Sequence, residues 1–477
     1  MTRGISWPAV IVAYFTFHTV YRTALGGALG LDEAEMFLVA QEYRWGYGPQ
    51  LPLYAWLQHS LFLLTGASLF GMALLKNALL CGIVLGLYGI LRTRVEPWRA
   101  GLGAASLILL PQIGWESQRS LTHSVLVSFC AVVSLAVLWW IARRPSTPGF
   151  LCLGLALGAG GLAKYNFVLM PAAAIMAMLT MPGLRGRIAD PRLMLSLAIA
   201  VAIVAWPYLW IYANPDIAFA TATKLRVQEH LDPIERILRG LLAVGSGLRN
   251  FLILPAVVGV LLWAFCRTGA SAPAGDLERL MRRLILCGLG LLYLGIVLAG
   301  VTNFRERWMQ PLLIFAAPVL VLWLLPRITG TGHRRLAQVY AALAALFVVG
   351  LPVHFYEGDA DVAAPFATLV PEIESRLPTP DTAIIAHQWL AGNILYVDPD
   401  LDLINEAYPK VRPDPSGDYV LVWKGPELEE GLRRLSDHFP DRPEWSLQEH
   451  EVLRAPFRFD QDETFTLSIA RIVPSGG

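Results

Sequence analysis

The sequence has few charged residues. Asp, Glu, Lys and Arg make up 16% of the 477 residues, whereas a soluble globular chain carries about 25%. Hydrophobic residues make up 55%, so much of the surface is predicted to face lipid. The formal net charge is +1, which disfavours nucleic acid as a partner, because nucleic-acid binders present a basic field.

Cysteine and recognisable catalytic motifs are also scarce. The five cysteines lie in or beside apolar segments without CxxC spacing and are predicted to be buried thiols. Residues 354–477 contain none, so that segment can reside in an oxidising compartment without a disulfide. There is no HExxH, P-loop or GxSxG motif, so no cofactor is predicted to be required, and the use of a divalent metal stays open.

Long apolar segments predict a polytopic α-helical membrane protein. A spanning helix needs roughly 20 mostly apolar residues, and about 11 segments come near that length. The first segment has no small-residue cleavage site and is predicted to stay attached. The predicted spans are residues 7–25, 68–91, 100–114, 121–142, 149–163, 166–181, 193–213, 248–266, 284–301, 309–325 and 336–353.

Arginines in the short loops predict the orientation, because basic residues mark the cytoplasmic side. Arginine clusters follow every second predicted span, at residues 92–99, 143–144, 185–192, 267–283 and 327–335. This alternation predicts a cytoplasmic N-terminus and a periplasmic C-terminal segment in a bacterial inner membrane. The segments predicted on the periplasmic side are residues 26–66, 115–120, 164–166, 214–247 and 302–308.

The composition changes near residue 354. Strand-like segments at Thr382–Ala386, Tyr419–Trp423 and Thr464–Val473 accompany amphipathic helix patterns at His387–Leu395 and Glu427–Phe439. We therefore predict a transmembrane domain over residues 1–353 and a small periplasmic α/β domain over residues 354–477. Two interfacial helices are predicted in the first periplasmic loop, one starting near residue 31 and one over residues 51–64.

Ionisable residues from distant parts of the chain fall at the predicted periplasmic boundary. Asp32 and Glu33 begin a helical pattern, where acidic residues either stabilise the helix start or serve as a general base. Lys164 ends an apolar helix and either extends its amine to the interface or binds a phosphate. Arg305 and Arg307 lie in a loop predicted to be periplasmic, although basic residues usually mark the cytoplasmic side, and this exception favours a role in binding phosphate. Lys76 either reaches the interface or enters a cavity.

Four weak motifs occur in order on the predicted periplasmic side. They are the Asp32-Glu33 pair, the Trp45–Leu53 segment, the glycine-rich helix ending at Lys164, and the short loop with Trp308 before Pro311. Together they resemble the GT-C superfamily of lipid-linked-sugar glycosyltransferases, especially the bacterial relatives of protein O-mannosyltransferases and of the aminoarabinose transferase of lipid A. The resemblance covers roughly residues 1–350, and the C-terminal segment is similar to the outer domain that such proteins carry.

The resemblance implies an inverting transfer of a sugar from polyprenyl phosphate to lipopolysaccharide, another polysaccharide, a lipid or a protein. It implies Asp32 as the catalytic base with Glu33 assisting. Three positions depart from the family pattern: Gln50 replaces a basic residue, Leu51 replaces the first proline, and His123 replaces a second acidic residue. The residues expected to bind the donor phosphate are Lys164, Arg305, Arg307 and Lys76. Those expected to bind substrate are Tyr47, Gln50, His123, Tyr165, Glu306 and Trp308.

Two other classes of protein stay open at the level of sequence. A transporter or flippase of a lipid-linked saccharide places charges near the bilayer midplane, whereas here the ionisable residues gather at the ends of the predicted spans. A family member that binds lipid without catalysis is the third alternative, because Gln50 and His123 depart from the pattern. The gathering of charges favours the enzyme.

The predicted orientation is testable with fused reporters. Alkaline phosphatase joined after Gly477 is expected to be active, because five arginine-rich loops keep the opposite side in the cytoplasm. Green fluorescent protein joined at the same position is expected to stay dark. Fluorescence of the one fusion together with an inactive phosphatase in the other would show that the C-terminus is cytoplasmic, opposite to the prediction.

Overall fold

The computed structural model describes residues 6–120, 122–220, 232–269, 273–356, 361–405, 417–439, 442 and 444–474. Up to residue 356 these residues are almost entirely helical. In chain order the helices are α1 (Trp7–Leu25), α2 (Leu31–Val39), α3 (Leu53–Thr65), α4 (Leu69–Arg92), α5 (Pro97–Ala105), α6 (Ser117–Arg119), α7 (His123–Arg143), α8 (Thr147–Ala163), α9 (Leu169–Leu179), α10 (Pro182–Arg185), α11 (Arg192–Ala213), α12 (Pro215–Ala218), α13 (Pro233–Cys266), α14 (Asp276–Ala299), α15 (Gln310–Leu313), α16 (Ala316–Leu324) and α17 (Gly330–Tyr356).

Several of these helices can cross a membrane. Within the described residues, α4, α7, α11, α13, α14 and α17 are long and apolar enough by length and composition. A bent pair, residues 306–313 and 316–327, makes a seventh if it is one span, and α8 and the helix over residues 165–179 are apolar but shorter. A polytopic helical membrane protein is therefore confirmed, whereas the number of about 11 spans stays a prediction.

Two predicted spans are not single straight helices in the structure. The predicted span at residues 100–114 is not one helix, because α5 gives way to a 3₁₀ turn at Ser106–Leu109 and a π turn at Gln112–Glu116. Pro111 separates the two turns and has no N–H to continue a helical ladder. The predicted span at residues 309–325 is bent by 49° between α15 and α16.

The predicted periplasmic loop at residues 214–247 is also shorter than expected. Helix α13 already begins at Pro233, and the side chain of Asp232 caps it by accepting a hydrogen bond from Ile234 N–H at 3.0 Å. Proline at the first helical position suits such a start, because its missing N–H has no partner there in any helix. Residues 221–231 of this loop lie outside the described residues.

Glycines on α8 allow close packing against α11. A Cβ at Gly154 would lie 2.7 Å from the Ser196 carbonyl oxygen, and a Cβ at Gly158 would lie 2.7 Å from Ile203. Ser196 Oγ also donates to the Phe150 carbonyl at 2.6 Å. Small residues of this kind bring membrane helices into close backbone contact. The register of α8, and with it the position of the residue that follows α8, is fixed by this contact.

The chain divides into two compact units. The first comprises residues 1–19, 44–54 and 74–348. The second joins residues 349–477 with residues 20–43 and 55–73, so α2 and most of α3 belong with the C-terminal segment. The predicted domain boundary between residues 353 and 354 stays a prediction.

The second unit contains a five-stranded sheet within its described residues. The strands are β1 (Ala383–Ala386), β2 (Leu403–Asn405), β3 (Tyr419–Lys424), β4 (Trp445–Pro456) and β5 (Thr464–Pro474), and the helices after α17 are α18 (Phe366–Glu374), α19 (Gln388–Val397) and α20 (Leu428–His438). The order across the sheet is β2-β1-β3-β5-β4. β1 pairs in parallel with β2 and β3, whereas β5 pairs antiparallel with β3 and β4.

The sequence pattern located three of these strands, β1, β3 and β5, but not β2 and β4. β3 is the easiest to predict, because Tyr419–Trp423 are all buried and form a continuous apolar segment. β4 alternates weakly and carries a register shift between Gln448 and Glu451, which disrupts its period of two. β2 has only three residues, too few for a periodic pattern.

Candidate active site

In the second unit, Arg22 and Glu33 form a buried ion pair. Arg22 Nη2 lies 2.6 Å from Glu33 Oε2, and Nε lies 3.2 Å from Oε1. The two side chains are 4% and 3% exposed. A bidentate contact of this kind is the strongest geometry for an arginine and a carboxylate. Two buried charges need such a contact, because it offsets the solvation that both of them lose.

The same two side chains also fix the local backbone. Arg22 Nη1 donates to the Gly26 carbonyl at 2.8 Å, and Gly30 N–H donates to Glu33 Oε2 at 3.2 Å. Glu33 therefore satisfies a free N–H at the start of α2, which is the capping role that sequence analysis left open for the acidic pair. Asp32 lies in the same first turn and is partly exposed.

C-terminal residues complete the surroundings of the pair. Phe355 lies beneath the Arg22 guanidinium at 4.6 Å from ring centroid to Cζ. Asn393 and Trp389 hold the backbone of Leu29, because Asn393 Oδ1 accepts from Leu29 N–H at 2.7 Å and Trp389 Nε1 donates to the Leu29 carbonyl at 2.8 Å. Burial raises the pKa of Tyr396, with Arg22 acting to lower that pKa and Glu33 to raise it.

In the first unit, Lys164 is held at the end of α8. Its Nζ donates to Ser124 Oγ at 2.8 Å, and Gln310 Nε2 donates to the Ser124 carbonyl at 3.2 Å. Ser124 thus joins residues from α8 and α15 to the start of α7. His123, the neighbour of Ser124, is buried with its ring 5.4 Å from that of Tyr54. The structure therefore brings Lys164 and His123 together, as residues of one cluster at one end of α7.

Lys76 is buried near the start of α4, with 2% of its side chain exposed. Its Nζ donates to the Gln118 carbonyl at 3.3 Å, and Gln118 Nε2 donates to Asn77 Oδ1 at 3.0 Å. Sequence analysis left two positions open for this lysine, and the structure turns it inward. A buried amine in a membrane segment marks a polar cavity more often than a structural contact.

The two short loops predicted on the periplasmic side are linked. Asn166 Nδ2 donates to the Trp308 carbonyl at 2.8 Å, which joins the turn after Lys164 to the turn before α15. Arg305 is exposed, whereas Arg307 and Glu306 are partly buried. Phe304 packs edge-on against Trp308 at 5.2 Å between ring centroids.

Several buried polar atoms around these loops find no partner among the described residues. They are Thr122 Oγ1, Asn166 Oδ1, Arg307 Nε and Gln310 Oε1. A buried polar atom left unpaired loses about 1–3 kcal/mol of solvation. Water or a ligand with hydrogen-bonding groups is therefore expected to bind where these atoms lie.

The remaining predicted substrate residues are Tyr47, Gln50 and Tyr165. Tyr47 is buried, its hydroxyl accepts from Arg44 N–H at 2.8 Å, and it forms an isolated bridge with Gln50. Tyr165 is partly exposed and lies 6.0 Å from Phe219 between ring centroids.

Sequence analysis missed the neutral residues and the arginine that hold these charges. Ser124, Gln118 and Gln310 carry no charge signal, although polar residues within apolar helices are themselves unusual. Arg22 lies in the last turn of α1, where a basic residue is common and does not by itself indicate a buried ion pair. Among the described residues, no three His, Cys, Asp or Glu side chains lie close enough together to hold a metal ion.

The sequence of this chain is similar to known glycosyltransferases. A family profile described as dolichyl-phosphate-mannose-protein mannosyltransferase matches residues 48–210. The lipopolysaccharide core galacturonosyltransferase RgtB of Rhizobium johnstonii is 31% identical over 97% of this chain and 96% of that protein. RgtA, a second core galacturonosyltransferase of that organism, is 29% identical over 99% and 98%. The lipid A galacturonosyltransferase RgtD is 26% identical over 62% and 60%.

The fold is similar to that of a solved protein structure. The structure of ArnT from Cupriavidus metallidurans bound to undecaprenyl phosphate matches with a TM-score of 0.64 at 14% identity and covers 98% of both chains. The same protein without ligand matches with a TM-score of 0.61. At this identity the likeness concerns the fold, and it extends over both units of the present chain.

The buried ion pair predicts a large effect of removing one partner. Arg22→Met is expected to destabilise the protein by about 3–5 kcal/mol, because Glu33 stays buried and loses its bidentate contact with the arginine. Arg22→Met/Glu33→Gln is expected to recover most of the lost stability. The double variant has no buried charge at either position, and the oxygen of the new glutamine side chain can still accept the hydrogen bond from Gly30 N–H. The measurement is the midpoint of thermal unfolding in detergent.

The matched control is Arg433→Met, which removes an exposed arginine that pairs with Glu430 on α20. Surface pairs contribute about 0–1 kcal/mol, so its midpoint is expected to stay near that of the wild type. Equal midpoints for Arg22→Met and Arg433→Met would contradict a stabilising ion pair at Arg22.

Proposed function

Because this chain belongs to the GT-C superfamily of glycosyltransferases, we propose that it transfers a hexuronic acid from undecaprenyl phosphate to the core or lipid A part of lipopolysaccharide. The supporting observation is the 31% identity to a core galacturonosyltransferase over 97% of the chain. The protein is a membrane enzyme, and galacturonic acid is the sugar that this similarity favours. We assign the reaction to the periplasmic face of the inner membrane.

An apolar groove in the first unit suits the lipid tail of the proposed donor. It has a volume of about 340 Å³ and is bordered by α1, α5 and α17, with Tyr14, Ile108, Tyr340 and Ala344 among its lining residues. Gln118 also lines this groove, and its carbonyl accepts the hydrogen bond from Lys76. A polyprenyl chain in the groove would thus lead toward a buried amine, which is the arrangement that a lipid phosphate requires.

The anionic groups of the donor have suitable partners in the first unit. A uronic acid donor carries a sugar carboxylate in addition to the phosphate, so it needs more than one cationic side chain. We assign the phosphate to Lys76 and Lys164, and the carboxylate or the phosphate to Arg305 and Arg307. The unpaired buried Nε of Arg307 supports this assignment, because a guanidinium binds a carboxylate through parallel N–H donors.

The proposed reaction is a single displacement with inversion. The acceptor hydroxyl oxygen forms a bond to the anomeric carbon while the bond from that carbon to the phosphate oxygen breaks. The hydroxyl proton passes to Asp32, and undecaprenyl phosphate leaves with the electron pair. Cationic side chains stabilise the negative charge that develops on the phosphate. We assign Glu33 to positioning, because its two oxygens bind Arg22 and Gly30.

The proposed activity is testable with purified protein in liposomes. Undecaprenyl phosphate galacturonic acid and lipopolysaccharide lacking uronic acid are the substrates, and mass spectrometry measures the product. The expected product carries one added hexuronic acid, and undecaprenyl phosphate is released. Transfer of aminoarabinose or a neutral hexose, with none of galacturonic acid, would overturn the proposed sugar but not the family.

Lys164 is predicted to bind the donor. Lys164→Met keeps the apolar stem and removes the charge, so donor affinity is expected to fall roughly ten- to a hundredfold, the value of one charge-assisted hydrogen bond. Donor binding to protein in detergent is the measurement. The matched control is Lys424→Met, which removes an exposed lysine of β3 and is expected to bind donor normally. Unchanged affinity in Lys164→Met would remove this residue from the donor site.

Asp32 is predicted to be the catalytic base. Asp32→Asn is expected to lower kcat about 10²–10⁴-fold while donor affinity stays unchanged, because an amide cannot accept the proton. The variant is expected to fold, since Glu33 rather than Asp32 satisfies the Gly30 N–H. The matched control is Glu429→Gln, which alters an acidic residue in the first turn of α20. Turnover above about a tenth of the wild-type value in Asp32→Asn would assign the base to another residue.

A further inference from the structure

Six arginines meet in two adjoining pockets of the first unit. The pockets have volumes of about 360 and 430 Å³, within the roughly 300–1,000 Å³ typical of ligand sites. They share Arg94, Asp276 and Arg279. We call them the arginine pockets, and their cationic lining consists of Arg94, Arg99, Arg143, Arg279, Arg283 and Arg327.

The arginine pockets lie far from the Lys76 and Lys164 contacts. Lys76 lies in the first half of α4 and Arg94 lies in the turn after its end, so 18 residues, or roughly 27 Å along a helix, separate them. His123 and Arg143 are the first and last residues of α7. The pockets therefore belong to the side that the loop charges predict to be cytoplasmic, and the proposed sugar transfer does not use them.

Stacking and hydrogen bonds hold some of the arginine side chains that line the pockets. The Arg94 guanidinium stacks on the buried Trp139 ring at 4.9 Å, and Trp139 Nε1 donates to Thr93 Oγ1 at 2.9 Å. Arg283 donates to Thr180 Oγ1 at 2.9 Å. Stacking and side-chain hydrogen bonds fix the direction of a guanidinium, which lowers the entropy lost when it binds an anion.

The charge of the pockets is strongly unbalanced. The two acidic residues of the lining are Asp276 and Glu278, against six arginines. Asp276 pairs with Arg279, and within the described residues Arg94, Arg143 and Arg283 have no carboxylate at ion-pair distance. Guanidinium groups in this arrangement match the oxygens of phosphate. The general tendency of cytoplasmic loops to be basic explains the sign of the charge but not its concentration in two pockets.

We propose that the arginine pockets bind the phosphate group of an anionic membrane phospholipid. A lipid with two phosphates fits two adjoining pockets that share three residues, whereas a lipid with one phosphate fills one of them. Basic pockets between helices on this side of a membrane bind such head groups. The bound lipid connects the loop after α4 with the starts of α5 and α14 and the end of α7.

The test compares two triple variants with equal loss of charge. The pocket variant is Arg94→Gln/Arg143→Gln/Arg283→Gln. The control variant is Arg144→Gln/Arg185→Gln/Arg334→Gln, which removes three exposed arginines of the same side that line neither pocket. Delipidated protein is titrated with cardiolipin, phosphatidylglycerol, phosphatidylethanolamine or inorganic phosphate, and native mass spectrometry counts the bound ligand.

Wild type and the control variant are expected to bind cardiolipin and phosphatidylglycerol, and the pocket variant at least about tenfold more weakly. Phosphatidylethanolamine is expected to bind weakly to all three proteins, because its head group has no net charge. Equal losses in the two variants would overturn the site in favour of distributed charge. Binding of inorganic phosphate as tight as that of the lipids would overturn the membrane source of the ligand.

A second variant keeps the test decisive if the pocket variant does not fold. Arg94→Lys/Arg143→Lys retains the loop charge and leaves the contact between Arg283 and Thr180 intact. It is expected to lose severalfold in cardiolipin affinity, because an ammonium cannot reproduce the planar fork of a guanidinium. Affinity equal to that of the wild type in this folded variant would contradict a built phosphate site.

Discussion

A charge beside hydrocarbon must be paired, hydrogen-bonded or solvated, and this constraint governs the polar parts of the structure. Arg22 and Glu33 satisfy it by pairing with each other below 5% exposure. Lys76 and Lys164 satisfy it differently, because they donate hydrogen bonds to neutral acceptors, a backbone carbonyl and a serine hydroxyl. The first arrangement is suited to holding a backbone, and the second to receiving an anion.

The close contact between α8 and α11 connects packing to the proposed chemistry. Gly154 and Gly158 allow the backbone of α8 to approach Ser196 and Ile203, so α8 has little freedom to slide or rotate. Lys164 is the first residue after α8 and therefore occupies a position set by that contact. A site that must hold a phosphate within about 0.5 Å of a productive geometry needs rigid support of this kind.

The sequence predicted what depends on local pattern and charge. Apolar segments located most of the long helices, and the match at Trp7–Leu25 is complete because both ends are marked by loss of apolar character. The interruption at Ser106–Glu116 has a signal in Pro111, but the apolar residues before it suggested one continuous span. β2 escaped prediction because it is stabilised by neighbouring strands rather than by its own three residues.

The candidate site was predicted only in part, because charged residues stand out in the sequence whereas their neutral partners do not. Lys164 and Asp32 are visible as charges at predicted span ends, whereas their roles stay predictions. Ser124 and Gln310 are neutral, and only the tertiary fold brings them to Lys164. The pairing of Arg22 with Glu33 depends on the chain reversing between α1 and α2, where Gly26 and Gly27 adopt positive φ angles that few other residues accept.

The short helices on both sides of Lys164 also affect the surrounding bilayer. Helix α8 has 17 residues, about 25 Å of length, and the apolar helix over residues 165–179 is shorter still. The hydrocarbon layer of a typical bilayer is about 30 Å thick. If these helices cross a bilayer, thinning of the lipid beside them is one way to match their length, at a cost of a fraction of a kcal/mol per Å. Such thinning would lower the head-group region around Lys164, so that a phosphate-bearing lipid arriving there would stay hydrated at a depth where hydrocarbon would otherwise begin.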